Sequence, residues 1–298
     1  MKKHIPSHLI ICCCITAALA ACTACSHIDE DERLIMVDQN IEEVTDPIIV
    51  VPDSIYDAPV AVVERRVLIE DHTGQKCPNC PDATTIIHNL QRVYGSRIVP
   101  VAIHSQAQGI MEPSGLGNEL GNTYYNNWKL EFKPAGLVNR MDGGDGVVLD
   151  KTIWTMAVQY LLSDETPDPL DIRIKADQQA GNPQQASVSV KVISTSDASV
   201  SGKLQVWITE DNIVAQQDSM GTHLSNYVHN HVLRASVNGT WGEDVSVSGF
   251  GGTKEFHYDA PLSSAWKPEN LAIVAFVYND DGVVQVQRQV IKQTSINK

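Results

Sequence analysis

The chain has 298 residues, 43% of them hydrophobic and 19% charged, with a formal net charge of −14. That length suits about two domains with separate cores. An acidic balance without a basic patch excludes nucleic acid as a partner and gives anionic lipid nothing to attract.

The chain opens with Lys2-Lys3, an apolar stretch from Ile10 to Ala21, and Leu19-Ala20-Ala21-Cys22 at the end of that stretch. A basic end, a short apolar run and small residues before a cleavage point describe a secretory signal, not a membrane span. The ending resembles a bacterial lipoprotein signal, which implies that residues 1–21 are removed and that Cys22 carries lipid. An ordinary cleaved signal with an incidental cysteine is the plain alternative. Cys25 lacks a leucine at the required offset. Losing Lys2 and Lys3 with the signal moves the formal charge from −14 to −16. Residues 22–60 then read as an acidic tether, with Asp29-Glu30-Asp31-Glu32 and Glu42-Glu43 and no sustained periodicity. Ile48 to Val51 is a candidate early strand within it.

From Ala61 the pattern becomes α/β. Val67-Leu68-Ile69 is a short buried strand, and Ile86, Ile87, Leu90, Val93 and Tyr94 recur at helical spacing over Ala83 to Tyr94. Ile98 to Ile103 is the next strand, with Pro100 tolerable only near its start. Pro113 to Trp128 reads as an inserted helical segment. Phe132 to Arg140 is a strand entered through Pro134, and Met141 to Gly146 is a turn. Asp150 then caps a closing helix whose apolar face is Ile153, Trp154, Ala157, Val158, Leu161 and Leu162. Ser163 to Pro169 has linker composition. Beyond it the period switches to two in Leu170/Ile172/Ile174, Val188/Val190/Val192, Leu204/Val206/Ile208 and Val284/Val286, with Asn279-Asp280-Asp281-Gly282 as a hairpin turn. The expected division is an α/β domain over 61–165 and an antiparallel sandwich over 169–298.

Of the seven cysteines, Cys12, Cys13 and Cys14 lie in the signal, and Cys22 and Cys25 sit at the start of the tether. Cys77 and Cys80 remain, at the start of a helix, where orphan N–H groups and the positive dipole end favour a thiolate. Three readings stay open for the pair. In a redox couple Cys77 attacks and Cys80 resolves, with Lys76 favouring the thiolate. The pair can equally be a static disulfide, or half of a zinc site that lacks its other ligands.

Strand, CxxC at a helix start, second strand and proline-entered strand together resemble the thioredoxin fold. The resemblance implies that Asp71 is a buried acid able to accept the resolving proton and that Pro134 is the proline packed against the CxxC. Catalysis would then rest on Cys77, Cys80, Asp71 and Pro134. The segments Asp71 to Pro81, Val99 to His104, Gly136 to Arg140 and Tyr227 to Arg234 are similar to the outer-membrane-protein-28-related lipoproteins. That likeness implies a thioredoxin-like domain followed by an immunoglobulin-like sandwich. It also implies lipid anchoring at the cell outer membrane, facing the periplasm or the cell surface. The function implied is either thiol–disulfide exchange on envelope proteins or a surface binding or adhesion module with a structural CxxC domain. Its partners would be the membrane, through the anchor, and a protein met by thiol exchange or by the sandwich; no cofactor is expected.

His229 and His231 fall on one strand face and are weak metal candidates, against the plainer reading of partly exposed strand histidines. His72 and His104 stand at strand ends near the CxxC, where they either tune its pKa or lie in surface loops. Trp207 and Trp241 read as packing residues, and Arg140 as exposed or salt-bridged.

Overall fold

Seven consecutive buried residues, Val67–Thr73, form the strand at the centre of the fold (β1). The computed structural model describes residues 56–61 and 63–293. The signal, Cys22 and the candidate strand at Ile48 to Val51 lie outside them. β1 runs parallel to β2 (Ile98–His104), from Val67 opposite Ile98 to Thr73 opposite His104. On its other side it is antiparallel to β3 (Ala135–Val138), which pairs with β4 (Leu149–Asp150).

Three helices accompany these strands: α1 (Cys80–Tyr94), α2 (Glu119–Asn127) and α3 (Lys151–Ser163). The buried faces of α1 (Ala83, Ile87, Leu90) and α3 (Trp154, Ala157, Val158) pack against Val67 and Ile69 of β1. Each large side chain so buried contributes about 1.5–3 kcal/mol. The α3 start follows the capping logic, the Asp150 carboxylate accepting from the Thr152 backbone N–H at 2.9 Å. A Cβ at Gly136 would meet the Trp154 ring at 2.4 Å, so only glycine lets α3 sit this close to β3.

The second half contributes ten strands: β5 (Leu170–Gln179), β6 (Asn182–Ser194), β7 (Ser199–Glu210), β8 (Ile213–Ser219), β9 (Thr222–His229), β10 (Val232–Ser236), β11 (Glu243–Ser248), β12 (Thr253–Pro261), β13 (Leu271–Asn279) and β14 (Gly282–Val290). They do not form a separate body. One sheet runs β14-β13-β7-β10-β2-β1-β3-β4, with β11 added on β7. The joint is Val232 of β10 opposite Ala102 of β2, sealed by the Ala102 N–H donating to the His231 carbonyl at 2.8 Å. A three-stranded sheet, β12-β6-β5, packs Ile172, Val188 and Val190 onto Val206, Ile208 and Ile273 of the long sheet. A further cluster joins Leu68, Val101 and Ile103 of the first half to Trp207, Leu233 and Phe276 of the second.

The expected fold class, an α/β thioredoxin-like domain followed by an all-β immunoglobulin-like sandwich, is therefore corrected. The described chain is predominantly β, with fourteen strands and three α-helices, and its largest sheet crosses the expected division. The physical reason is that β2 has a free edge on which β10 adds, so the core is shared. Alternation in sequence reveals strands but not their partners. Among the described residues no helix is long and apolar enough to cross a membrane.

The loop between α3 and β5 is exposed over Asp164 to Pro167, but Asp168 is buried and accepts from the Leu170 N–H at 3.1 Å. Cleavage after Glu165 should therefore leave both fragments in one particle on gel filtration, separable only in denaturant. Two independently eluting fragments would show that the shared sheet does not bind the halves together.

Candidate functional site

Cys77 and Cys80 form a disulfide at the mouth of α1, with the two Cα atoms 5.4 Å apart. Both residues are buried, at 0% and 1% exposure. The turn ahead of them is closely packed: the Lys76 N–H donates to the Gln108 carbonyl at 2.8 Å, and a Cβ at Gly74 would lie 2.3 Å from that oxygen. Pro81 occupies the first turn of α1, where a missing N–H costs nothing. Lys76 is exposed.

The β8–β9 hairpin, a two-stranded sheet separate from the other two, docks on the loop that carries the disulfide. The Gln217 amide donates to the carbonyls of Gly74 at 3.2 Å and Cys77 at 3.0 Å. The Asp218 N–H donates to the Gln75 carbonyl at 2.8 Å, and the Met220 N–H to the Pro78 carbonyl at 3.2 Å. In return the Gln75 amide donates to the Gln216 carbonyl at 3.1 Å. Sequence reasoning missed Gln217 because its partners are 140 residues away or more, and no local pattern marks such a contact.

Beneath the hairpin is a partly open recess whose lining includes Asp71, Cys80, His104, Tyr227, His229 and His231. Asp71 is fully buried, and burial pushes its carboxyl up to about 7 despite the opposing charge of Lys133. Burial likewise lowers His229 to about 4 and His104 well below the usual imidazole range, so both rings are neutral near pH 7. Their centroids are 5.5 Å apart. Asp71 Oδ1, His104 Nδ1 and His229 Nε2 have no hydrogen-bond partner among the described residues. Burying such a group unpaired costs about 1–3 kcal/mol.

His229 ends β9, whereas His231 lies beyond it with φ 57°, its Nδ1 3.2 Å from Asp211, so the two do not share a strand face. No three His, Cys, Asp or Glu side chains among the described residues are placed to hold a metal ion. His72 is buried and lowered to about 3 by burial, with Lys133 and Arg140 adding to the effect. Pro134 is buried just ahead of β3, after a cis Lys133–Pro134 bond, and is not among the residues lining the recess. Lys133 is the more telling neighbour. Its ammonium donates to the Thr73 carbonyl at 2.5 Å, Ser105 Oγ at 2.8 Å and the Ala107 carbonyl at 2.7 Å, tying β1 to the loop after β2. Arg140 is buried against Glu70 at 2.6 Å, and Trp207 is a core residue whose indole N–H donates to Tyr124 Oη at 3.0 Å.

A long mixed sheet, a smaller sheet packed on it and a disulfide at a helix start define a β-rich domain. Residues 121–295 match the family described as outer membrane protein Omp28. That match spans more than half of the chain, so the chain belongs to the Omp28 family of outer membrane proteins. Among solved structures, HBP35 of Porphyromonas gingivalis is similar with a TM-score of 0.61 and 13% identity, covering 80% of each chain, a likeness of fold alone. A domain of the outer membrane lipoprotein Omp28 from Porphyromonas gingivalis is 27% identical over 43% of this chain and 91% of that one, with a TM-score of 0.32. No curated protein matches the chain.

Because the folded pKa of Asp71 is raised, its neutral form is favoured on folding, and that contribution is lost as pH rises from about 4 through about 7. Asp71→Asn should therefore raise stability at pH 8 by a few kcal/mol at most, and leave it nearly unchanged at pH 4. Denaturant melts of both forms at the two pH values test this. Equal stability of variant and parent at pH 8 would mean that Asp71 ionises without penalty.

Proposed function

We propose that this outer-membrane-family protein is a lipid-anchored binding module in which the Cys77–Cys80 disulfide is a structural staple. The observation that carries the reading is the burial of both cysteines in a loop on which the β8–β9 hairpin docks. Thiol–disulfide exchange requires in-line approach of a thiolate to a sulfur, and a partner of any size meets Gln217 and the hairpin backbone first. The competing reading, catalytic exchange, draws on Asp71 sharing the recess with Cys80. It leaves Cys77, the expected nucleophile, without an approach.

In this reading lipid on Cys22 holds the protein to the outer membrane, and the acidic stretch that follows Cys22 in sequence favours display at the cell surface over the periplasmic face. A protein is the expected partner, met by the folded part and not through thiol exchange.

Equilibration of the mature chain in glutathione buffers, with alkylated thiols counted by mass, tests the staple. Its reduction potential should lie below about −300 mV, and Cys80→Ala should trap no mixed disulfide in cells. A potential above about −270 mV together with trapped partners would establish exchange chemistry instead. Mass spectrometry of the mature N-terminus should separately find acyl groups on Cys22; an unmodified start at Thr23 or later would remove the anchor.

A further inference from the structure

We propose that the β8–β9 hairpin is a detachable cap whose docking is coupled to the redox state of Cys77–Cys80. This rests on the staple reading above and extends it to the regulation of the same site.

The hairpin pairs with neither of the other sheets, and an isolated two-stranded hairpin is marginal in water. Its attachment to the disulfide loop is concentrated on one short segment. The carbonyls of Gly74, Gln75, Cys77 and Pro78 all accept from it, and the Gln75 side chain donates back. Besides the Cys77 N–H bond to the Gly74 carbonyl at 3.0 Å and the Cys80 N–H bond to the Cys77 carbonyl at 3.3 Å, two constraints aim those carbonyls. At one end Gly74 is pressed against the Gln108 carbonyl, and at the other Cys77 is cross-linked to the first residue of α1. Cutting the cross-link frees the Cys77–Pro78 peptide to turn, and the cap loses its aligned acceptors. Lifting the cap in turn lets water reach the unpartnered Asp71 Oδ1 and His104 Nδ1, and moves His229 away from His104.

The coupling runs both ways, as linkage requires. While the cap is docked neither sulfur is accessible, so reduction proceeds through the open form. A dithiol reductant then attacks one sulfur as thiolate and forms a mixed disulfide. Its second thiolate displaces the protein sulfur, leaving Cys77 and Cys80 as two protonated thiols and the reductant as its own disulfide. Two electrons and two protons pass to the protein, and the open form gains population.

Hydrogen exchange of the mature chain, before and after treatment with dithiothreitol, reads the cap directly. Residues 213–229 should exchange about tenfold faster in the reduced protein while β13 keeps its protection. The Cys77→Ser/Cys80→Ser double variant should show the same loosening without reductant. Gln217→Ala, which removes two of the contacts, should speed reduction of the disulfide by about tenfold. Unchanged hairpin exchange on reduction would overturn the proposal, as would a reduction rate indifferent to Gln217→Ala. Loss of protection throughout, β13 included, would also overturn it, because the disulfide would then hold the whole fold. An exchange-competent potential alone would sink the staple reading without altering these rates, so the two failures are distinguishable.

Discussion

Strand β1 takes three consecutive ionisable residues, Glu70, Asp71 and His72, into the interior, all at 2% exposure or less. Isolated buried charges are too expensive to keep, so the surrounding structure must pair them or neutralise them. Each is handled differently. Glu70 is paired, accepting a two-pronged bond from Arg140 at 2.6 and 3.1 Å. Burial makes Asp71 a far weaker acid than usual, and it keeps His72 neutral. Arg140 is itself enclosed, its guanidinium 4.5 Å from the Tyr278 ring centroid and 5.4 Å from that of Trp128. Tyr278 belongs to β13, so the charge that enters with β1 is sheltered by the far end of the chain. A buried pair of this kind is weak evidence of net stabilisation, yet breaking it by removing one partner costs about 3–5 kcal/mol. It therefore specifies which halves belong together more than it adds to stability.

Alternation along β1 sets the rest of the layout. Leu68 and Glu70 face the cluster shared with Trp207 and Phe276. Val67 and Ile69 face α1 and α3, and on that same side Asp71 and Thr73 reach the recess beside Cys80. A one-residue slip of β1 would exchange these faces, placing Glu70 against α1 and Asp71 against Arg140's position. Asn139 fixes the register from outside the ladder, its side-chain Oδ1 accepting from the Leu68 N–H at 2.7 Å while its backbone N–H donates to the Leu68 carbonyl at 2.9 Å.

Local features were legible in the sequence because they are written locally. The Asp150 cap, the apolar stripe of α1, the turn at Asn279 to Gly282 and the alternating strands after Leu170 follow from spacing and turn chemistry. The burial of Asp71 could be anticipated only from resemblance, since an acid in an apolar run has no periodic signature. Partnership was not legible. Ile98 to Ile103 reads as a buried strand whichever strand covers its second edge, and that strand proved to be β10, 130 positions further along. The contact of Gln217 with Cys77 is hidden for the same reason, and so is the shelter that Tyr278 gives Arg140. Charge alone suggested a salt bridge for Arg140 but not its enclosure.

These long-range contacts bear on what the molecule can do. An oxidising envelope compartment allows any well-placed cysteine pair to close, so a CxxC there carries no implication of turnover by itself. What separates a working couple from a staple is access, and access is decided by residues far from the motif. Here the groups that restrict it, Gln217 and the backbone of Asp218 and Met220, belong to the β8–β9 hairpin, which pairs with neither of the other sheets. The unpaired Asp71 Oδ1 and His104 Nδ1 line the recess beside it, where release of the cover would allow them to be solvated. A tightly integrated core and a marginally held cover are thus complementary. The shared sheet and the Arg140–Glu70 pair keep the two halves in register, so that opening of the hairpin can be local and need not spread to global unfolding.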